Sequence, residues 1–192
     1  MNIVLPKPKP FGNKSLEECI YERESVRNYL DLEINLEKLS QILWACQGVK
    51  KNKRTVPSAG ATYPLEIYVL LKGKGLYLYN NKGHLLEFLF NDDIPIKLSR
   101  AAWDQDFISQ TYLNIIICAD YKRTTNRYGE RGIRYVHIEV GHCAQNIHLE
   151  AVAMGLSSVP VGAFDDKQVR NVLQLPTQLV PLYIIPISYS RK

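Results

Sequence analysis

The sequence predicts an α+β fold, in which a mixed and mostly antiparallel sheet is flanked by helices. Three strand patterns follow one another in the middle of the chain, which is typical of an antiparallel meander. Later strand patterns alternate with helical ones, so helices are expected to pack on the sheet. A long helical pattern within residues 131–155 carries apolar residues on more than one stripe. Such a helix belongs in the core and not on the surface.

Composition limits the class of protein and its partners. The chain has 192 residues, which suits one domain, residues 15–192, behind an extended arm, residues 1–14. The apolar runs are too short to span a bilayer and no signal pattern opens the chain, so we expect a cytoplasmic protein with no membrane partner. Its four cysteines are then expected to be buried, reduced thiols. The net charge of +5 favours anionic partners such as phosphates or acidic peptides, not nucleic acid.

The element boundaries follow from capping residues and apolar periodicity. Ser15 with Glu18 forms a capping-box pattern, Asn35 is a typical N-cap, and Gly155 suits the residue after a helix. The segment 120–133 is polar and arginine-rich, which predicts a surface loop able to carry function. We predict helices within 15–22, 36–49, 92–103, 131–155 and 165–173, and strands at 66–71, 75–79, 84–90, 113–119, 157–161 and 179–187.

The segment from Arg23 to Arg27 is a candidate phosphate receptor. In an extended chain Arg23, Ser25 and Arg27 project to one side, and two guanidinium groups with a hydroxyl suit a phosphate. The alternative is a solvated charged turn, in which the arginines pair with Glu22 and Glu24.

The loop 55–64 consists of small residues between prolines. Such a loop lets main-chain amides approach a flat or anionic ligand closely, although a plain tight connection has the same composition. The basic run 50–54 before it is either a solvated linker or an attractor for an anionic ligand.

The long helix carries two further features. Gly141, Ala144, Ala151 and Ala153 lack bulk, so this surface suits either a subunit contact or ordinary packing within the chain. Glu139 and His142 stand one turn apart on it, a carboxylate and imidazole spacing used in di-iron bundles, but the remaining ligands are missing and we predict no metal. His137 and His148 are expected at the surface or an interface.

Five motifs, in order along the chain, resemble the flavin-dependent nitroreductase superfamily, and most closely its SagB-type dehydrogenase branch. The resemblance runs from about Ser15 to Ile187. The motifs are Arg23-x-Ser25-x-Arg27, the loop from Pro57 to Pro64, Tyr128-Gly129 with Arg131-Gly132, Gly141-His142-x-x-Gln145-Asn146, and Val159 to Phe164.

The resemblance implies an FMN-binding homodimer with two flavin sites at the subunit interface and the long central helix in that interface. Arg23, Ser25 and Arg27 match the clamp for the phosphate and ribityl chain, and Arg191 is the nearest candidate for a further basic residue there. The loop that reaches the flavin, generally from the partner subunit, matches Pro57, Ser58, Ala59 and Gly60. The segment along the isoalloxazine ring, where backbone amides can donate, matches Pro160, Val161 and Gly162.

The activity implied is transfer of hydride from NADH or NADPH to a nitroaromatic, quinone-like or related small acceptor. Two alternatives stay open: a SagB-like dehydrogenase of a peptide azoline or heterocycle, and a non-catalytic flavin-binding scaffold. Because a flavin carries its own redox chemistry, the protein needs only to bind, orient and tune it. Tyr128 is either a proton donor or substrate contact, or a structural tyrosine.

Overall fold

A computed structural model describes residues 1–190, in which a seven-stranded sheet is covered by helices on both faces and a separate two-stranded hairpin lies beside it. The strands are β1 (Ile3–Val4), β2 (Val49–Lys50), β3 (Lys53–Arg54), β4 (Leu65–Leu71), β5 (Gly75–Asn80), β6 (Leu85–Phe90), β7 (Leu113–Asp120), β8 (Ser157–Ser158) and β9 (Leu179–Ser188). The helices are α1 (Leu16–Glu22), α2 (Leu36–Gln47), α3 (Ile94–Ala101), α4 (Phe107–Gln110), α5 (Lys122–Tyr128), α6 (Arg131–Ala153) and α7 (Asp166–Val172), with a 3₁₀ turn at Ala59–Ala61.

The sheet has the order β1-β6-β5-β4-β7-β9-β8, and its ladders are antiparallel. Strands β4, β5 and β6 form the predicted meander. A parallel contact comes from the isolated bridge between Ser25 and Ser158. The predicted α+β class with a mostly antiparallel sheet is therefore confirmed.

Each face of the sheet has its own apolar core. Because side chains alternate along a strand, Ile67 and Val69 of β4 face α2 and α6, whereas Tyr68 and Leu70 face α3 and α7. The central strand β7 is buried almost throughout, as expected for a strand covered by helices on both sides. The site described below lies along α6 and the edge of the sheet at β8.

Helix α6 has 23 residues and is therefore about 34 Å long. Val136, Val140 and Ile147 point into the core, while Ile133 and Ile138 stay 44% and 48% exposed. The helix ends before Gly155, whose φ of 67° is the left-handed conformation that a glycine adopts without a Cβ clash. In this part of the chain, residues 1–190, no helix is both long and apolar enough to cross a membrane.

The N-terminal arm is extended, as predicted, but it is anchored on its own chain. Ile3 and Val4 pair with Leu86 and Leu85 at the edge of β6. Further along, the amide of Lys9 donates to the side chain of Gln41, whose own amide group donates back to the Lys9 carbonyl. The prediction of an extended arm did not include this strand, because two residues carry no periodic pattern.

Two segments differ from the sequence prediction. Most of residues 120–133, predicted as a loop, is helical: α5 occupies Lys122–Tyr128 and α6 begins at Arg131. In α5 Thr124 is the buried residue, so an apolar period could not reveal the helix. The strand predicted at 157–161 is limited to β8, followed by an isolated bridge from Val161 to Ile184. All four cysteines are buried free thiols, as predicted.

Candidate functional site

The segment from Arg23 to Arg27 is held as an extended strand against β8. Arg23 already has an extended backbone as the C-cap of α1, and Ser25 forms the parallel bridge with Ser158. The amide of Val26 donates to the Ser158 carbonyl over 3.1 Å. Ser25 and Arg27 are exposed and Arg23 is half-buried, so the extended geometry that suits a phosphate receptor is present.

The charges of this segment are not neutralised by neighbouring carboxylates. Glu22, the partner expected in the alternative interpretation, pairs with Lys14 instead. Among residues 1–190, no carboxylate lies within ion-pair distance of Arg23 or Arg27. The Arg27 guanidinium carbon lies 6.0 Å from the ring centroid of Phe107. Two guanidinium groups are therefore available to an anion at this edge of the sheet.

His148 lies behind this segment, buried within the chain and not at the surface or an interface as the sequence predicted. Its side chain is only 5% exposed, because the C-terminal half of α6 packs against β8. Its Nδ1 atom is 2.6 Å from the Oγ atom of Ser158. Burial, together with the positive charge of Arg23, lowers the pKa of His148 to about 4. Within the described chain its Nε2 atom is buried without a hydrogen-bond partner.

The segment Pro160–Gly162 continues from β8 along the same edge. Val161 exchanges two backbone hydrogen bonds with Ile184, its amide donating over 2.8 Å and its carbonyl accepting over 3.0 Å. Proline has no amide hydrogen, so Gly162 is the member of the trio whose amide can serve a ligand. Gly162 is exposed, and a Cβ added there would meet only the ring of Tyr183, at an ordinary 3.6 Å.

Two residues that the sequence did not single out join these segments. The Gln105 side chain donates to the carbonyl of Ala163 over 2.9 Å, directly after Gly162. Phe107, two residues further on, lies beside Arg27. Gln105 lies between α3 and α4, and Phe107 is the first residue of α4, so this stretch connects the arginine segment to the Pro160–Gly162 segment. No local pattern marks these residues, since their role depends on contacts distant in sequence.

The loop Pro57–Gly60 lies against the end of α5. The Ser58 hydroxyl accepts the Tyr63 amide over 2.9 Å, and the Gly60 carbonyl accepts from the Arg127 guanidinium over 3.1 Å. Pro57 and Gly60 are exposed, while Ser58 and Ala59 are half-buried. Gly60, Ala61 and Tyr63 have φ values of 57°, 54° and 46°. A left-handed backbone at two non-glycine residues stores strain that is common at functional sites.

A buried polar network supports this loop. Glu139 of α6 is 2% exposed, and burial raises its pKa although hydrogen bonds with Ser58 and Gln47 act in the opposite direction. Gln47 also accepts from Arg54 over 2.8 Å, and the Arg54 guanidinium carbon lies 4.6 Å from the ring centroid of Tyr63. Arg54, predicted within a solvated linker or an anion-attracting run, is therefore a structural residue of the loop. Glu139, one of the two residues considered for a metal together with His142, therefore belongs to the network that supports the loop.

Tyr128 lies directly over the loop. It is half-buried at the end of α5, and its ring meets that of Tyr135 edge-on with centroids 5.2 Å apart. A Cβ built on Gly60 would be 2.5 Å from the Tyr128 hydroxyl. The glycine is thus required for the close approach of loop and hydroxyl, which places Tyr128 at the loop and not at the arginine segment.

The two parts of the site are supported from different places along α6. Glu139 contacts the loop, and His148, nine positions further along α6, contacts Ser158, which pairs with the arginine segment. Nine residues correspond to about 13 Å along a helix and to two and a half turns, so the two side chains leave opposite sides of α6. Arg191, the remaining candidate, lies outside the described residues.

Comparisons of the sequence and the structure with known proteins point to the same family. The nitroreductase family model matches residues 20–189. A provisionally named nitroreductase of Methanocaldococcus jannaschii is 43% identical over 180 residues, which is 90% of either chain. The microcin B17-processing protein McbC of Escherichia coli is 23% identical over 143 residues, which is 69% of this chain and 53% of that protein.

Solved structures show the same fold. A provisionally named nitroreductase from Ralstonia eutropha superposes with a TM-score of 0.90 at 26% identity and covers 100% of this chain and 90% of that one. The NADPH:FMN oxidoreductase of Vibrio harveyi, solved in complex with NAD⁺, gives a TM-score of 0.70 at 18% identity, covering 92% of this chain and 69% of that one. With the family model spanning nearly the whole chain and a relative this similar, the chain belongs to the nitroreductase family.

Proposed function

We propose that this oxidoreductase binds FMN and passes hydride from NADH or NADPH to a nitroaromatic, quinone-like or related small acceptor. The observation that carries the proposal is the shared sheet edge, on which two guanidinium groups without a carboxylate partner among residues 1–190 are followed by the open backbone of Gly162. Family membership and the oxidoreductase of Vibrio harveyi, whose name includes FMN and NADPH, support the choice of cofactor and reductant.

In this proposal Arg23, Ser25 and Arg27 hold the phosphate and ribityl chain. A guanidinium binds phosphate oxygens through two parallel hydrogen bonds, so the pair of arginines fixes both charge and orientation. Phe107 limits the positions open to Arg27, and Gln105 holds the Ala163 carbonyl. These contacts pre-position the receptor for an anion.

Gly162 is proposed to lie along the isoalloxazine ring. Its amide is available as a donor, and the absence of a side chain leaves the exposed surface open to a flat ring. Val161 contributes through its position in the sheet, because its own amide already donates to Ile184. FMN, when bound, supplies the hydride chemistry, and the chain's residues bind and orient it and exclude water.

We propose that the functional unit is a homodimer in which the loop Pro57–Gly60 completes the partner's site. Within one chain, Glu139, which supports the loop, and His148, which lies behind the arginine segment, are about 13 Å apart along α6, as the rise of a helix implies. The exposed face of α6 carries Ile133, Ile138 and Gly141, and nothing lies within 4 Å of a Cβ built on Gly141. A mid-helix glycine lowers helix stability, so close approach of a second chain gives it a purpose.

Tyr128 then has a defined place in the proposal. Its hydroxyl sits over the loop at Gly60, so in the dimer it faces the partner's flavin and the acceptor bound there. We propose that it contacts the acceptor and donates a proton to it. The four buried free thiols favour a reducing compartment, and the cytoplasm is our proposal for the location.

The proposal is tested by reconstituting the purified chain with FMN under anaerobic conditions. The bleaching of the flavin by NADH and by NADPH is followed, and a nitroaromatic or a quinone is then added. We expect one of the two nicotinamides to reduce the bound flavin and the acceptor to reoxidise it. If the chain binds FMN but neither nicotinamide reduces the flavin, the scaffold alternative is supported. If the chain binds no flavin, the proposal is refuted.

A second candidate, dehydrogenation of a peptide azoline or heterocycle, is favoured by the similarity to the microcin B17-processing protein. The same reconstituted protein is incubated with a thiazoline-containing peptide and a terminal oxidant. Loss of two hydrogen atoms from the peptide, measured by mass spectrometry, would favour this candidate. An unchanged peptide beside rapid nicotinamide oxidation would favour the first.

A further inference from the structure

His148 is a buried polar group that belongs to neither the loop nor the solvent-exposed part of the site. It lies between α6 and the strand pair formed by Ser25 and Ser158, with Nδ1 2.6 Å from the Ser158 hydroxyl. The side chain is 5% exposed, yet Nε2 has no partner among residues 1–190. Buried polar atoms without hydrogen-bond partners are uncommon in folded proteins, so the one on His148 calls for an explanation.

The protonation state of the ring narrows its possible roles. Burial and the charge of Arg23 keep the imidazole neutral near neutral pH, since they lower its pKa to about 4. A neutral imidazole has one N–H group and one acceptor nitrogen. If Nδ1 accepts from the Ser158 hydroxyl, Nε2 carries the proton and is a buried donor. A donor beside Arg23 and Ser25 has an anion as its natural acceptor.

We propose that His148 is a concealed member of the phosphate site, donating its Nε2–H group to the anion that Arg23, Ser25 and Arg27 hold. In this inference Ser158 fixes the tautomer: its hydroxyl, 2.6 Å from Nδ1, acts as the donor to that nitrogen, while its carbonyl holds Val26 in the arginine segment. One residue thereby sets both the backbone of the receptor and the direction of the buried donor. The inference rests on the proposed FMN site but concerns only its phosphate end.

Two substitutions separate this role from a structural one. In His148→Asn the amide group occupies the Nδ1 position and keeps a partner for Ser158, but nothing reaches the Nε2 position. In His148→Gln the longer side chain restores a donor at the Nε2 position. The exposed His142 on the same helix provides the matched control, His142→Asn.

The first measurement is the ratio of the dissociation constants for riboflavin and FMN, which isolates the phosphate. We expect His148→Asn to reduce this ratio by at least about tenfold, the effect of losing one hydrogen bond to a charged group. His148→Gln is expected to retain most of the ratio, and His142→Asn all of it. Equal weakening of riboflavin and FMN in His148→Asn would overturn the inference and indicate a structural role.

The second measurement does not depend on flavin. Nitrogen-15 spectra of the imidazole rings are recorded while inorganic phosphate is added to the flavin-free protein, with chloride at matched ionic strength as the control. We expect the His148 signals to show an Nε2–H tautomer that responds to phosphate and not to chloride. An Nδ1–H tautomer, or signals that ignore phosphate, would contradict the inference. If wild type binds neither flavin, the proposed function fails while this titration still decides the role of His148.

Discussion

The amide of Val26 donates to the carbonyl of Ser158 over 3.1 Å, and this contact joins the arginine segment to the strand that leads into Pro160–Gly162. Two stretches far apart in sequence are thereby fixed side by side on one edge of the sheet. The arrangement presents cationic groups at one end and an open glycine at the other. A ligand with a phosphate and a flat ring matches both ends.

Removing the guanidinium groups should abolish tight FMN binding without unfolding the chain. Arg27 is exposed and Arg23 half-buried, so Arg23→Ala and Arg27→Ala are expected to fold normally. A hydrogen bond to a charged group contributes about 1.5–3 kcal/mol, so each substitution should weaken FMN binding by about tenfold or more. Flavin fluorescence titration measures the change, and Lys82→Ala in the β5–β6 turn controls for the lost charge. Undiminished affinity in both variants would remove the phosphate assignment.

A methyl group added at Gly162 should weaken flavin binding while leaving the thermal stability of the fold nearly unchanged. A Cβ there meets only the Tyr183 ring at 3.6 Å, an ordinary contact, so the melting temperature should stay close to that of wild type. The same methyl group would separate the backbone from a ring lying along it, and Gly162→Ala should therefore bind flavin more weakly. Gly12→Ala, also without steric conflict, is the matched control. Normal flavin affinity in Gly162→Ala would argue against a ring at this position.

His148 should make the protein sensitive to acid. Its pKa is about 4 when folded and about 6.5 when unfolded, so between these values the unfolded chain binds more protons and acid favours unfolding. The loss on going from neutral pH to below about pH 4 amounts to about 3 kcal/mol. Urea denaturation at several pH values should show a shallower acid dependence for His148→Gln than for wild type. Parallel curves for the two proteins would contradict the assigned burial.

The contribution of Glu139 to the stability of the fold should depend on pH in the direction opposite to that of His148. Its folded pKa is raised by burial, so above its ordinary value of 4.5 the folded chain holds the proton more tightly, and stability falls as pH rises through the folded pKa. Glu139→Gln should lose this dependence while keeping partners for Ser58 and Gln47. Glu139→Ala leaves those groups unpaired and should cost about 1–3 kcal/mol. Denaturation of the three proteins at acidic and alkaline pH tests the order, and equal stability of both variants would refute it.

A large side chain at Gly141 should disrupt the proposed dimer. Within one chain there is open space around this position, so Gly141→Arg should leave the helical content unchanged. In a close helix contact the same side chain has no room, so sedimentation analysis should show monomers with reduced flavin content. Asn171→Arg on the exposed surface of α7, on the other face of the sheet, is the control. A dimeric Gly141→Arg protein would place the subunit contact elsewhere.

The elements with a strong apolar period could be predicted from the sequence. The meander of β4, β5 and β6 and the helix α2 follow alternation and helical spacing closely. The capping box at Ser15 is present with both of its hydrogen bonds. Helix α5 could not be found in this way, because its sequence is polar and its position depends on packing against α6.

The site was predictable as a set of segments but not as a geometry. The spacing of Arg23, Ser25 and Arg27 indicated their common side, whereas the strand pairing with Ser158 that holds them has no local signal. The burial of His148 and Glu139 depends on how α6 sits between β8 and the loop. The assignment of His148 to the surface or an interface was therefore wrong, since residue type alone does not reveal a buried polar network.

The most direct test of the central claim is the visible absorption spectrum of the freshly purified protein, with identification of whatever denaturation releases. The account predicts a flavin spectrum and the release of FMN, or the appearance of that spectrum after incubation with FMN. A protein that stays colourless after incubation with FMN would contradict the account, because the arginine segment and Gly162 would then serve some other ligand.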